Sequence, residues 1–312
     1  MNLEPATPEA SLNRYSLTIS SCPYKLDVER FEGLEQLSVR YHYSIYFTCT
    51  SPKLTADMFL NQPVLLTMKG GELLSARPVK FVHGVVTHFR RLAGSRDQVS
   101  HEIIVEPYLS LLDKQFRTHR FFVNKSVPEV VGEILQEHAL RGWEYEFTLT
   151  QSYPKREQIN QYQESDLAFI ERLLAEVGIF YFFTLQPDTR TEVVHFADRQ
   201  SAYEFDKRLA LDSPSGMSDS GADSVWSLNI RYQVAPAGVT AKDYNHREAQ
   251  KVLQSARADI TSGEGEEMRY GEVYHYKPRH LEAGDASDPA PETANFWARL
   301  DHERFLAEQT LI

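Results

Sequence analysis

His101-Glu102-Ile103-Ile104-Val105 opens like the zinc-binding helix H-E-x-x-H, in which two histidines one turn apart grip a single ion. Val105 stands where the second histidine is needed, however, and the surrounding text reads as strand. His83 and His88 are five residues apart, as are His275 and His280, and on a strand an odd spacing sends the two side chains to opposite faces. Gly216-Met217-Ser218-Asp219-Ser220 carries a serine between a glycine and an acid but lacks the second glycine of a nucleophile elbow. Gly263 and Gly265 are followed by Glu266 and Glu267, which would repel a phosphate rather than cradle it. With 44 Asp and Glu, paired carboxylates for glycoside hydrolysis are available in number, but no segment singles out two of them. Phe180, Tyr181, Phe182 and Phe183 could form a sugar platform; consecutive aromatics in one strand fit core plus interface better. The residues therefore predict no catalytic, metal or cofactor-binding set, no cofactor, and a protein that is not an enzyme.

Composition narrows the partners. Among 312 residues, 33 Lys and Arg stand against 44 Asp and Glu, a net charge of −11 with no long basic run, so nucleic acid and anionic membrane are poor partners. Two cysteines, Cys22 and Cys49, are too few for a disulfide scaffold and are expected as free thiols in a reducing folding compartment. Residues 1–13 have neither a basic start nor an apolar centre, so no Sec signal is read there, and no apolar run approaches the roughly 20 residues of a membrane helix. The chain is not expected to be an integral membrane protein. Export, if it occurs, would need a dedicated machine.

The elements that would position side chains are clearest over 153–185. Ser165 is a good N-cap with Asp166 at the positive end of the helix dipole, and Leu167, Ile170, Leu173, Leu174 and Val177 form one apolar stripe, predicting a helix over 166–177. Gly178 suits a left-handed C-cap, and Ile179 to Phe183 then runs without polar alternation, as a strand covered on both faces does. Val193 to Ala197 follows across a polar turn, which predicts a hairpin. Upstream, Ser126 and Glu129 make a capping box for a second helix over 127–140.

Short strands are expected at 15–19, 39–50, 64–68, 79–90 and 99–106, an antiparallel barrel or closed sandwich, followed by a helical piece at 108–114. Residues 213–223 are too polar and small to bury much and read as a linker. Strand text resumes at 225–234 and 269–276, and helical spacing at 293–307.

Several of these stretches carry ordered motifs: Tyr153-Pro154-x-Arg156-Glu157, Gln161-Tyr162-x-Glu164-Ser165-Asp166-Leu167-x-Phe169-Ile170-x-Arg172-Leu173, Glu176-x-Gly178-Ile179-Phe180-Tyr181-Phe182 and Ala197-Asp198. With His83-Gly84-Val85-Val86-Thr87, Pro107-Tyr108-Leu109, Phe116-Arg117-x-His119-Arg120-Phe121 and, more faintly, Asp243-Tyr244-Asn245, the chain resembles the VgrG family of type VI secretion spike proteins. The N-terminal half of that family is similar to the phage T4 baseplate hub. The resemblance covers most of 12–245, and one position departs: Val177 stands where the family more often has a second Glu.

What the resemblance implies is a mainly β, phage baseplate hub-like fold: two antiparallel β-barrel-like domains plus small α+β domains. The expected division is a first barrel over 1–114, an α+β domain with two helices and a hairpin over 115–200, a split second barrel from 201–235 and 291–312, and an inserted segment over 236–290. The two barrels would share one strand order, making a pseudo-sixfold base. The implied function is the structural hub of a puncturing spike, a homotrimer docking on a hexameric tube protein, with effector or adaptor proteins as further implied partners, assembled in the bacterial cytoplasm and then secreted by the type VI machine. A carbohydrate- or effector-binding module and a cell-wall hydrolase with an unrecognised site are the competing readings. The family normally continues into an oligonucleotide/oligosaccharide-binding fold and a glycine-punctuated needle, and neither pattern occurs within these 312 residues.

Overall fold

The computed structural model describes residues 13–51, 53–70, 77–94, 98–205, 207–211, 224–261, 264–276 and 282–311. The Gly216–Ser220 motif, the rest of the 213–223 linker, Gly263, His280 and residues 1–12 lie outside the described residues.

Strands β1 (Tyr15–Ile19), β2 (Asp27–Gln36), β3 (Val39–Cys49), β4 (Pro63–Gly70), β5 (Arg77–Gly94) and β6 (Val99–Glu106) build one antiparallel sheet in the order β1-β4-β5-β6-β3-β2. The alternation seen in β3 is the cause: Tyr41, Tyr43, Ile45 and Phe47 point inward onto Leu66 and Ile103, while Arg40, His42 and Ser44 take the other face. The sheet curls until its edges meet. The Asn13 side-chain amide donates to the Val28 carbonyl at 3.1 Å, and the Tyr15 and Phe31 rings meet edge-on at 5.1 Å. Sequence patterning did not mark β2, because DVERFEGLEQ is an exposed edge strand whose acids carry no apolar period. Gly33 in β2 lies over the Tyr43 ring, where a Cβ would sit 2.2 Å from a ring carbon.

A 3-10 helix, Tyr108–Lys114, leads into β7 (Phe116–Lys125), α1 (Val127–Glu137), β8 (Tyr145–Thr148), β9 (Arg156–Ser165), α2 (Asp166–Val177), β10 (Phe180–Leu185) and β11 (Glu192–Ala197). Both caps form as the sequence requires: Ser126 accepts from the Glu129 amide while Glu129 reaches back to the Ser126 amide, and Ser165 accepts from the Ala168 amide at 3.2 Å. The α2 stripe is buried, Val177 included, so the residue that departs from the family pattern extends the apolar face. The hairpin β10–β11 forms, joined by β8 running parallel to β11. A second ribbon, β7–β9, was not predicted as a pair: REQINQYQES buries Arg156, Ile159, Gln161 and Ser165, which follow no regular period, and Gln163 at φ 50 interrupts the strand.

Beyond β11 the strands are short: β12 (Ala210–Leu211), β13 (Ser224–Val225), β14 (Arg231–Tyr232), β15 (Val239–Asp243), β16 (Leu253–Gln254) and β17 (Val273–Tyr276) precede α3 (Ala294–Gln309) and β18 (Thr310–Leu311). The pairings are β12–β13, β14–β18 and β16-β15-β17. Among the described residues the strand order of the first sheet is therefore not repeated here, contrary to the expected matched barrels, and 225–234 is not one continuous strand. Ser227, at φ 56, turns the chain within it. Val239 and Ala241 of β15 share a small core with Phe296, Trp297 and Ala298 of α3, the helix expected over 293–307, which Thr293 caps. No described helix is long and apolar enough to cross a membrane.

Candidate functional site

The ordered motifs resolve into two polar clusters that hold elements together. In the first, Arg156 at the start of β9 is buried and its guanidinium spans two acids, Nη1 to Glu176 of α2 at 2.7 Å and Nε to Glu292 ahead of α3 at 2.9 Å. Arg172 donates to Glu164 at 2.6 Å and to Glu176 at 2.9 Å. Asp166, wholly buried, meets His138 at 2.9 Å, the Gln161 amide at 2.8 Å and Arg117 at 3.5 Å. Charges withdrawn from water this far are tolerated when paired, and each of these has an ion-pair partner, although Arg117 Nε and Arg156 Nη2 make no hydrogen bond. Asp198 accepts from the amides of Thr150 and Gln151 and from the Tyr153 hydroxyl, which ties the Ala197-Asp198 and Tyr153-Pro154 motifs together. Gly178 takes φ 73, and a Cβ on it would lie 2.7 Å from the Leu300 side chain, so the α2 cap is also the seat of α3.

The second cluster joins the first sheet to the α+β unit. Glu192, at the start of β11, is buried against Tyr41 and accepts from the Tyr108 amide at 3.1 Å, while its own amide donates to His83 Nδ1 at 3.2 Å. The Tyr41 hydroxyl also lies on the His83 carbonyl, which can only accept. Tyr41 has one hydrogen for two oxygens. Given to His83, it leaves Glu192 to donate in turn, which requires a neutral carboxyl. Burial acts in the same direction, pushing Glu192 up to about 8, and it pushes His83 down to about 4. A cleft of about 420 Å³ opens beside them, lined by Lys80, Phe182 and Phe183 among others. A neutral carboxyl can serve as a general acid, but both oxygens of Glu192 are engaged in the joint.

The histidines singled out in the sequence are not brought together. His101 is stacked between Phe47 and Phe89 at 5.4 Å from each, with Nδ1 on the Val99 carbonyl, and burial lowers its pKa; Glu102 pairs outward with Arg90. His88 is separated from His83 by a bulge and lies exposed, and His275 pairs with Asp301 at 2.7 Å. Among the described residues no three His, Cys, Asp or Glu side chains gather as a metal site. Of the Phe180–Phe183 run, Tyr181 is buried and Phe183 packs on both larger cores, edge-on to Tyr41 at 5.1 Å. Glu192 had no sequence signal, being one acid at a strand start.

A sequence profile described as phage tail baseplate hub (GPD) matches residues 34–310. The type VI secretion system spike protein VgrG5 of Pseudomonas aeruginosa is 27% identical over 290 residues, covering 88% of this chain and 34% of that protein. The chain thus spans about a third of the length of the curated relatives it matches. Among solved structures, an Escherichia coli component of the type VI secretion system, described as structurally similar to the T4 tail proteins gp27 and gp5, superimposes with TM-score 0.65 at 30% identity. That match covers 95% of this chain and 61% of the other. The 43 kDa tail protein of prophage MuSo2 from Shewanella oneidensis shares the fold at TM-score 0.52 and 12% identity, over 95% of this chain and 80% of that one.

Proposed function

Because the chain belongs to the phage tail baseplate hub family, we propose that it is the hub portion of a type VI secretion spike, acting by assembly and docking rather than by turnover. The observation that carries this reading is what the motif residues do. Arg156, Glu164, Asp166, Arg172, Glu176, Gly178 and Asp198 are spent on fixing β9, α2, α3 and the loop before β9 to one another, and none is presented to a substrate. The relatives are named as spike proteins and as a type VI secretion component, while VgrG1 of Vibrio cholerae, named as an actin cross-linking toxin, is matched over 25% of its length.

In this reading residues 1–114 are the first tube domain and 115–200 the α+β domain. Residues 201–235 with 291–312 belong to a second, split unit in which α3 fills most of the returning segment, and 236–290 are inserted in it. Three chains assemble, the threefold base meets a hexameric tube protein, and effectors or adaptors ride on the spike as the type VI machine exports it. Deleting the gene in its host tests this: export of the tube protein to the medium should stop and return on complementation. Undiminished export would refute the role.

A further inference from the structure

β6 ends at Glu106, and its two neighbours run on past it. β5 pairs with β6 only from Val85 onward and β3 only from Tyr43 onward, so 77–84 and 39–42 face each other across a slit with no described strand between them. Each is held by a ladder on its far side alone, β5 by β4 and β3 by β2. Across the slit the Tyr41 hydroxyl reaches from β3 to the His83 carbonyl of β5. It lies so close to β5 that a Cβ on Gly84 would stand 2.6 Å from it. At the rim Lys80 meets Glu35 at 2.8 Å, an exposed pair that adds little. The cleft of about 420 Å³ lies in this slit, walled by Leu37, Val39, Phe182 and Leu185.

Glu192 decides where the Tyr41 hydrogen goes. A neutral Glu192 donates to the Tyr41 oxygen and leaves the phenol hydrogen for the His83 carbonyl, so three oxygens in a row have two hydrogens between them. An ionised Glu192 can only accept. It takes the Tyr41 hydrogen beside the Tyr108 amide it already holds at 3.1 Å, and the Tyr41 and His83 oxygens are left in contact with no hydrogen between them. The groups that face Glu192 leave this count unchanged. Tyr41 of β3 and Tyr108 after β6 stay protonated, since burial pushes both phenols up, Tyr108 to about 12. His83 of β5 is neutral with Nδ1 on the Glu192 amide, and the charge of Glu144, ahead of β8, works against ionisation of Glu192.

We propose that the slit between β3 and β5 is a proton-controlled gate. With Glu192 protonated the Tyr41 hydrogen bridges to His83 and the cleft is narrow; once that proton passes to water the hydrogen moves to Glu192, Tyr41 and His83 part, and the cleft widens. The Glu192 amide reports the parting, because it donates to His83 Nδ1 at 3.2 Å and loses that acceptor when β5 moves off. The Val194 amide of the same strand donates to the Glu144 carbonyl at 3.0 Å, on the β8 side, and serves as the reference. Hydrogen exchange at both is followed by nuclear magnetic resonance from pH 6.5 to 8.5, with intrinsic base catalysis divided out. Wild type should lose protection at Glu192 by about tenfold per pH unit, the slope of one released proton, levelling near pH 8, while Val194 exchanges far more slowly. Glu192→Gln should keep the amide protected and remove the slope. Tyr41→Phe should remove slope and protection together, with circular dichroism unchanged. A flat wild type, a slope that survives in Glu192→Gln, or Glu192 and Val194 amides that exchange together would each overturn the gate. Wild-type protection in Tyr41→Phe would overturn it too, since the hydroxyl would then not hold the slit.

Discussion

Glu192→Gln should change the shape of the pH–stability curve. With its folded pKa near 8 against an ordinary 4.5, Glu192 holds a proton in the folded state that it loses on unfolding; its contribution is complete below about 4.5 and is lost as pH rises through 8. His83 works the other way. With its pKa lowered from 6.5 to about 4, the folded state resists a proton the unfolded chain accepts, so its contribution is present above 6.5 and is lost as pH falls through 4. The two slopes oppose each other between about 4.5 and 6.5, and only Glu192 acts from 6.5 to 8. At about 1.4 kcal/mol per unit, wild type should be level over the lower window and then lose about 2 kcal/mol over the upper one. Glutamine keeps the donor and the acceptor without the charge. In urea melts at half-unit pH steps, the variant should rise over the lower window and stay level above it. A variant that still loses stability between 6.5 and 8 would show that Glu192 is ionised in the folded protein and that the proton count at Tyr41 is wrong.

Leu173, fully buried in the α2 stripe, should cost about 2 to 5 kcal/mol when cut to Ala, read as a lowered urea midpoint. Arg156→Met removes the guanidinium that lies between Glu176 and Glu292, leaves Glu176 to Arg172, and should cost about 3 to 5 kcal/mol by the same measurement. Gly178→Ala pays for its left-handed backbone with about 1 kcal/mol and also displaces Leu300, so hydrogen exchange should quicken in α3 more than in α1. Ser126→Ala removes one cap and should cost about 1 kcal/mol.

The helices were legible because their signals are local: Ser126 with Glu129, Ser165 with Asp166, and Gly178 one residue past the stripe each act within one turn. Alternating strands such as β3 were legible for the same reason. Edge strand β2 and ribbon β7–β9 were not, since neither buries a regular apolar face, and their pairing depends on partners far along the chain. After residue 225 the alternation is real but Ser227 turns the chain, so periodicity suggested one continuous strand where the structure has only short pairs. The functional residues divide similarly. The motif positions were visible, but not that Arg156 reaches Glu292, 136 residues on, nor that Glu192 is the acid closing the joint.

Cryo-electron microscopy of the purified chain mixed with the tube protein of its own secretion machine measures most directly whether this is a spike hub. Hub function predicts a threefold particle of three chains capping a sixfold ring, with the curled sheet of β1–β6 against the ring. Rings left bare at saturating chain concentration, with the chain dispersed as single copies, would contradict it.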